Sequence, residues 1–301
     1  MSQRIKAQKS PGQKSPNNKV DLGARGIYNK RNKLNDLTGK EWIYFTNSVW
    51  ITGYSPTAIE NVGLKFRKIH PSPKPPGLLR DIISFFTKSN ARILDPFAGV
   101  GGTLLGTALA GGNRTAVGID LEKKYKDAYL KACSAENLAA QEFIIGDSDK
   151  TLTTNKKLLE QKFDLVVTDP PYSDMMLRSR TKGSIKSKTG TPYTDKNSDL
   201  GNMQENEFLI ALKSIIESSV KLLKEDKYLV VFCKDFQPKG KEPNILHSKI
   251  IETLNQIPSI EYKGMRIWHD QAMSLYPFGY PFAFVMNQIH QYILIFRKVT
   301  P

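Results

Sequence analysis

The 301-residue chain is poor in cysteine, with only Cys133 and Cys233. Two cysteines a hundred positions apart give neither a disulfide framework nor metal-ligand spacing, which suits a reducing compartment. Each reads as a small buried hydrophobe. No run approaches 18 apolar residues, so a membrane span is not expected. The start, "MSQRIKAQKSPGQKSPNNKV", is basic but has no apolar core and is not a secretory signal. A cytoplasmic protein is expected. Acidic residues are also scarce, 29 against 44 Lys plus Arg, for a formal charge of +15. That excess points to a polyanionic partner.

The excess is localised. Residues 1–35 hold nine Lys or Arg against the single acid Asp21, and residues 178–198 hold six against Asp195. Everything else is nearly neutral. Residues 1–35, rich in Lys, Ser, Asn, Gln, Gly and Pro, are expected to be a disordered basic tail. Residues 36–301 are expected to form one domain, interrupted at 173–203 by a basic insertion. Solvated, flexible segments that only keep the chain soluble are the plainer reading of both basic stretches.

Order is expected near 41–54, "EWIYFTNSVWITGY", as a strand or an irregular packing layer. Residues 70–88 read as a Pro-rich turn and then a helix with Leu78, Leu79, Ile82, Ile83 and Phe86 on one face. Strands are expected at 91–97, 114–120, 142–147, 162–169, 227–235, 259–270 and 291–299. Helices are expected at 102–112, 121–139, 205–224 and 244–257. This alternation predicts an α/β fold: seven strands in a mostly parallel sheet covered on both faces. No full helix separates the last two strands, so the last strand is expected to be antiparallel.

Three strands in succession end in an acid. Asp95 precedes the glycine loop "LDPFAGVGG" (94–102), Asp120 ends "AVGID" and Asp147 ends "IIGD". The loop fits neither a strict dinucleotide fingerprint, since Phe97 replaces the first glycine, nor a Walker loop, since no Lys-Ser/Thr pair follows. Asp95 would repel a pyrophosphate but suits a cationic amino group. Asp120 suits ribose hydroxyls, and Asp147 an adenine amine. A nucleoside with a charged amino-acid end needs these contacts, and S-adenosyl-L-methionine is such a molecule. Helix capping by each acid is the alternative. A fourth strand ends in "DPPY": Asp169, Pro170, Pro171 and Tyr172. The prolines fix the torsions and offer carbonyls without competing N–H groups. Asp169 and the Pro170 carbonyl can accept the two hydrogens of a base amine, and Tyr172 can stack on its ring. The positive charge developing on the nitrogen during in-line transfer would be stabilised by these preorganised groups, with no metal and no covalent intermediate. An ordinary turn with a buried tyrosine is the plainer reading.

Here the sequence resembles the amino-methyltransferases acting on N6 of adenine or N4 of cytosine in DNA. The resemblance covers roughly residues 65–300 and rests on "HPSPKPPGLL" (70–79), "DPFAGVGG" and "DPPY". It implies a Rossmann-like methyltransferase sheet. It implies a cofactor site of His70, Lys74, Pro75, Asp95, Pro96, Phe97, Gly99, Gly101, Asp120 and Asp147, and a catalytic motif of Asp169, Pro170, Pro171 and Tyr172. It further implies duplex DNA with a flipped-out target base as the substrate, adenine N6 being favoured by "DPPY", and a modification role in a restriction system, a phage or gene regulation. Cytosine N4, or a base amine of tRNA or rRNA, is the alternative. No large target-recognition region separates the motifs. The expected DNA contacts are therefore Arg178, Arg180, Lys182, Lys186 and Lys188 in the insertion, and Trp268 in the aromatic-rich 262–288 segment, for which core packing is the competing reading. A homodimer or a partner supplying specificity is left open.

Overall fold

The computed structural model describes residues 18–54, 61–173, 181–182, 185–186, 193–235, 245–271 and 273–300. Its strands are β1 (Lys19–Asp21), β2 (Ile27–Asn29), β3 (Val49–Thr52), β4 (Arg92–Asp95), β5 (Thr115–Asp120), β6 (Glu142–Ile145), β7 (Phe163–Thr168), β8 (Thr181–Lys182), β9 (Ile185–Lys186), β10 (Leu223–Cys233), β11 (Ile260–Asp270) and β12 (His290–Lys298). Its α-helices are α1 (Gly39–Phe45), α2 (Leu64–Arg67), α3 (Pro76–Phe86), α4 (Gly102–Ala110), α5 (Lys123–Ala135), α6 (Ser148–Thr154), α7 (Lys156–Leu159), α8 (Glu205–Leu222) and α9 (Leu246–Leu254).

The main sheet runs β3-β11-β12-β10-β7-β4-β5-β6. Strands β10, β7, β4, β5 and β6 are parallel to their neighbours in that series, while β12 is antiparallel to both β10 and β11. After β4 the chain builds outward to β5 and β6, then crosses back to lay β7 on the other side. That reversal opens a crevice at the strands' carboxyl ends, between β4 and β7.

Alternation along the central strands feeds two cores. Leu94, Val166, Leu229 and Val231 face one layer with Phe208, Leu212 and Ile216 of α8 and Leu246 and Ile250 of α9. Ile93, Leu165, Val167, Val230 and Phe232 face the other, with Leu78, Ile82, Ile83 and Phe86 of α3 and Leu104 of α4. Side chains of period 2 on the strands and an apolar stripe on each helix leave no other packing for these residues.

Four expectations change. The sheet has eight strands, not seven, because β3 adds parallel to β11 with Trp50 opposite Trp268. Within 41–54, α1 precedes that strand and is closed by a capping box between Thr38 and Glu41. Residues 18–35, assigned by composition to a disordered tail, are folded. β1 and β2 form a hairpin, Asn32 accepts from the backbone N–H groups of Leu34 and Asn35, and the fully buried Asn35 donates to the Phe85 carbonyl at 2.6 Å. Asparagine side chains here do the work of backbone turns, so a polar composition did not preclude order. Finally, Trp268 is not a DNA contact. It is 2% exposed, and its indole N–H donates to Thr52 Oγ1 at 2.9 Å, so the ring closes the core under β3.

Of the expected basic contacts, Arg178, Arg180 and Lys188 lie outside the described residues. Lys182 and Lys186 sit in the short antiparallel pair β8 and β9. Among the described residues, no helix is long and apolar enough to cross a membrane, and no group of three His, Cys, Asp or Glu could hold a metal ion.

Candidate active site at the switch point

Four strand ends deliver carboxylates to the crevice. Asp95 comes from β4, Asp120 from β5, Asp147 from just beyond β6, and Asp169 from just beyond β7. They line two adjoining hollows. The larger, about 700 Å³, touches Asp120, Asp147, Ser148, Pro170, Pro171, Tyr172 and Leu200. The smaller, about 400 Å³, touches Lys74, Asp95, Gly102, Thr103, Thr168 and Phe232. His70, Ser72, Phe97, Gly99 and Asp169 line both, so Asp169 stands where the two meet.

The glycine loop is shaped by its surroundings. Gly101 has φ +76°, and a Cβ there would lie 2.3 Å from the Tyr129 ring. Only glycine gives both that torsion and that clearance. The Gly99 N–H donates to Asp120 at 2.9 Å, and a Cβ on Gly99 would sit 3.4 Å from His70 Nε2. The backbone is thereby tied to β5 and faces the cleft unshielded.

The acids differ in environment. Asp95 is buried and accepts from the Phe97 N–H at 3.0 Å and the Thr168 hydroxyl at 2.8 Å. Burial pushes its pKa up to about 6, and those donors hold it from rising further. Asp120 accepts from the N–H groups of Gly99 and Glu122, each at 2.9 Å, and burial raises its pKa to about 7 despite them. Asp147 caps α6 by accepting from the Lys150 N–H at 3.0 Å, so for this acid the capping alternative and the place in the cleft coexist.

Asp169 is held from two sides. Lys74 Nζ pairs with one carboxylate oxygen, and the Tyr172 hydroxyl donates to the other. The lysine therefore reaches the "DPPY" acid while also lining the smaller hollow with Asp95. Tyr172 is buried, packing into the core layer of Val166 and Phe208 while also lining the larger hollow. Burial and the Asp169 charge push its hydroxyl pKa well up, so it stays a donor. His70 accepts the Ser72 N–H on Nδ1 at 3.2 Å. Burial lowers its pKa to about 4, so the ring is neutral at physiological pH. Pro75 is the N-cap of α3, and the Pro96 carbonyl accepts from the Ser148 hydroxyl.

The far wall escaped the sequence reading. Tyr193 stacks on His70 with centroids 5.1 Å apart, and its carbonyl accepts from the Tyr125 hydroxyl at 3.2 Å. Asp199 is buried beside it, N-caps the turn at Leu200–Asn202, and has its pKa raised by burial. Tyr125, Tyr193, Thr194 and Asp199 carry no motif. Tyr193, Thr194 and Asp199 fall within the 173–203 segment, which its charge marked only as a basic insertion.

A family model described as DNA methylase matches residues 4–131, and one described as conserved hypothetical protein 95 matches residues 81–208. The type II methyltransferase M2.DpnII of Streptococcus pneumoniae is 39% identical over 121 residues, 40% of each chain. The tRNA (guanine(10)-N2)-dimethyltransferase of Methanothermobacter thermautotrophicus is 31% identical over 128 residues, 42% of this chain and 34% of that protein. The chain thus spans well under half the length of these curated relatives. Among solved structures, TrmN from Thermus thermophilus has the same fold, with a TM-score of 0.50 at 12% identity, over 78% of this chain and 52% of that one.

Proposed function

For a chain whose residues 4–131 match a family model described as DNA methylase, we propose transfer of a methyl group from S-adenosyl-L-methionine to an exocyclic amine of a nucleic-acid base, with adenine N6 in DNA as the target. The observation that carries this reading is the position of Asp169, at the junction of two hollows whose acids divide the work. The smaller hollow, with buried Asp95, fits the cationic amino-acid end of the cofactor. The larger, with Asp120 and Asp147, fits its ribose and adenine. The cofactor supplies an electrophilic methyl group on a sulfonium. Asp169 and the Pro170 carbonyl accept the hydrogens of the target amine and stabilise the positive charge that grows on its nitrogen. Lys74 and the Tyr172 hydroxyl fix the carboxylate in orientation beforehand. His70, neutral and stacked against Tyr193, closes the cleft without adding charge beside the sulfonium.

A base inside a duplex cannot reach Asp169, so the target must be flipped out. The basic 178–188 stretch supplies the phosphate contacts that position the strand. The similarity to a tRNA guanine-N2 dimethyltransferase favours RNA as a second reading.

Modified-base sequencing of DNA and RNA from cells expressing the chain tests both. Wild type should leave a methylated amine in a defined sequence context. Asp169→Ala and Asp169→Asn should bind cofactor normally by calorimetry and lose transfer about a hundred- to a thousandfold. Signal in RNA alone would select the second reading. A fully active Asp169→Ala would refute the catalytic role.

A further inference from the structure

The 271–289 connection joins β11 to β12. It contains no Lys, Arg, Asp or Glu, yet holds Tyr276, Phe278, Tyr280, Phe282 and Phe284 in a chain of charge +15. Tyr280 is 81% exposed, Phe282 94% and Phe284 90%. Their segment is hydrogen-bonded into a defined shape. At its base the Tyr276 N–H donates to Asn287 Oδ1 at 3.0 Å, and Asn287 Nδ2 donates to the Tyr276 carbonyl at 2.8 Å. At its tip the N–H groups of Phe282 and Ala283 both donate to the Gly279 carbonyl at 2.7 Å. A concentration of large exposed rings of this kind marks an interaction site in a soluble protein.

Sheet register says what it faces. β10 runs parallel to β7, with Val231 opposite Thr168. Cys233 at the end of β10 pairs with Tyr292 near the start of β12, and His290 pairs with His269. The connection therefore leaves the sheet at the edge where β7 delivers Asp169. It also leaves on the side of β7 away from β4 and β5, which carry the cofactor acids. Two strand spacings put β12 about 10 Å from β7. In-line displacement requires the acceptor nitrogen opposite the sulfur, so the target base approaches from the β10–β12 side. A loop without charge has no ion pair to offer phosphates, whereas its exposed rings match base faces, the apolar surface of a nucleic acid.

We propose that Tyr280, Phe282 and Phe284 form a base-stacking arm that holds the nucleic-acid strand beside Asp169. This rests on the methyl-transfer reading for its geometry, but its test reads binding alone. Binding of the full chain to a fluorescently labelled single-stranded DNA oligonucleotide is measured by anisotropy across a salt series. The pair Phe282→Ala with Phe284→Ala should bind about five- to a hundredfold more weakly at every salt. The slope of log affinity against log salt should not change, because no phosphate contact is lost. Cofactor binding should also match wild type, and Phe282→Trp with Phe284→Trp should retain DNA affinity. Affinity of the alanine pair within twofold of wild type overturns the proposal. So does a loss of affinity that accompanies a dimer-to-monomer shift in sedimentation, which makes a second copy the occupant. Unchanged DNA affinity with lost binding to phosphatidylcholine vesicles overturns it in favour of a lipid surface. A wild type that binds DNA through the arm and methylates nothing instead refutes the methyl-transfer reading and leaves the arm standing.

Discussion

Asp120→Asn separates the cofactor reading from mere structure through its dependence on pH. The wild-type carboxylate receives two backbone N–H groups at 2.9 Å and has a pKa near 7. Burial opposes its charge, so the sign for stability is negative as pH rises. Between about pH 4 and pH 7 the native chain keeps a proton that the unfolded chain has lost, which lowers stability by roughly 4 kcal/mol at most. The asparagine variant is free of that burden. It loses one acceptor and turns an amide N–H toward a backbone N–H, at a cost of about 1–3 kcal/mol. The two effects offset, so the variant should fold. Ligand binding behaves oppositely. Ribose hydroxyls donate to the charged form, which makes up about a tenth of the population at pH 6 and about nine tenths at pH 8 for a pKa near 7. At pH 8, loss of a charge-assisted bond should weaken S-adenosyl-L-methionine binding about ten- to a hundredfold. Calorimetry at pH 6, 7 and 8 measures both proteins. The ligand's own amino group titrates alike in each experiment, so the wild-type to variant affinity ratio isolates Asp120. That ratio should rise about tenfold from pH 6 to pH 8. A constant ratio would refute the ribose contact even if both proteins bind.

Two further substitutions probe the frame and the surface. Gly101→Ala should destabilise by about 2–5 kcal/mol, from the left-handed torsion and the collision with Tyr129, whose hydroxyl is pinned by the Gln141 N–H at 2.6 Å; a thermal melt matching wild type would disprove it. Replacing Arg178, Arg180, Lys182, Lys186 and Lys188 with glutamine should weaken duplex DNA binding and flatten the slope of log affinity against log salt by up to about four. An unaltered salt dependence would return that stretch to the role of a solvated linker.

The glycine loop, the strand-end acids and "DPPY" were legible in the sequence because their chemistry is local. Torsions at Gly101 and Pro170 depend on the residue itself, and a strand that ends in an acid aims it at the sheet's carboxyl edge. Helices α3, α4, α5, α8 and α9 were legible as well, α3 from its apolar stripe. What was hidden depends on distant partners. β3 is a strand because β11 offers it an edge, and Trp268 is core because β3 covers it. The hairpin at 18–35 hid behind polar composition, since asparagines rather than apolar side chains organise it. Tyr193 and Asp199 gain meaning only by folding against Tyr125 and His70. The aromatic segment after β11 was noticeable, but its buried and exposed rings could not be told apart before the register was known.

The placement of β12 has a consequence for the order in which the molecule assembles. β12 lies between β10 and β11, and β3 is attached to the main sheet through β11. Trp268 and Thr52, joined by a hydrogen bond, are 216 residues apart in sequence. On a nascent chain, the β3 segment emerges long before the strand that receives it, and β11 has no seat on the sheet until β12 follows. The parallel core from β4 to β10 can form from contiguous βα units, whereas the β3–β11 edge closes a loop of great length and is paid for last in chain entropy. Until then Trp50 and its neighbours are exposed, so this edge is where a slow ribosome or a truncated message would leave the protein most open to aggregation.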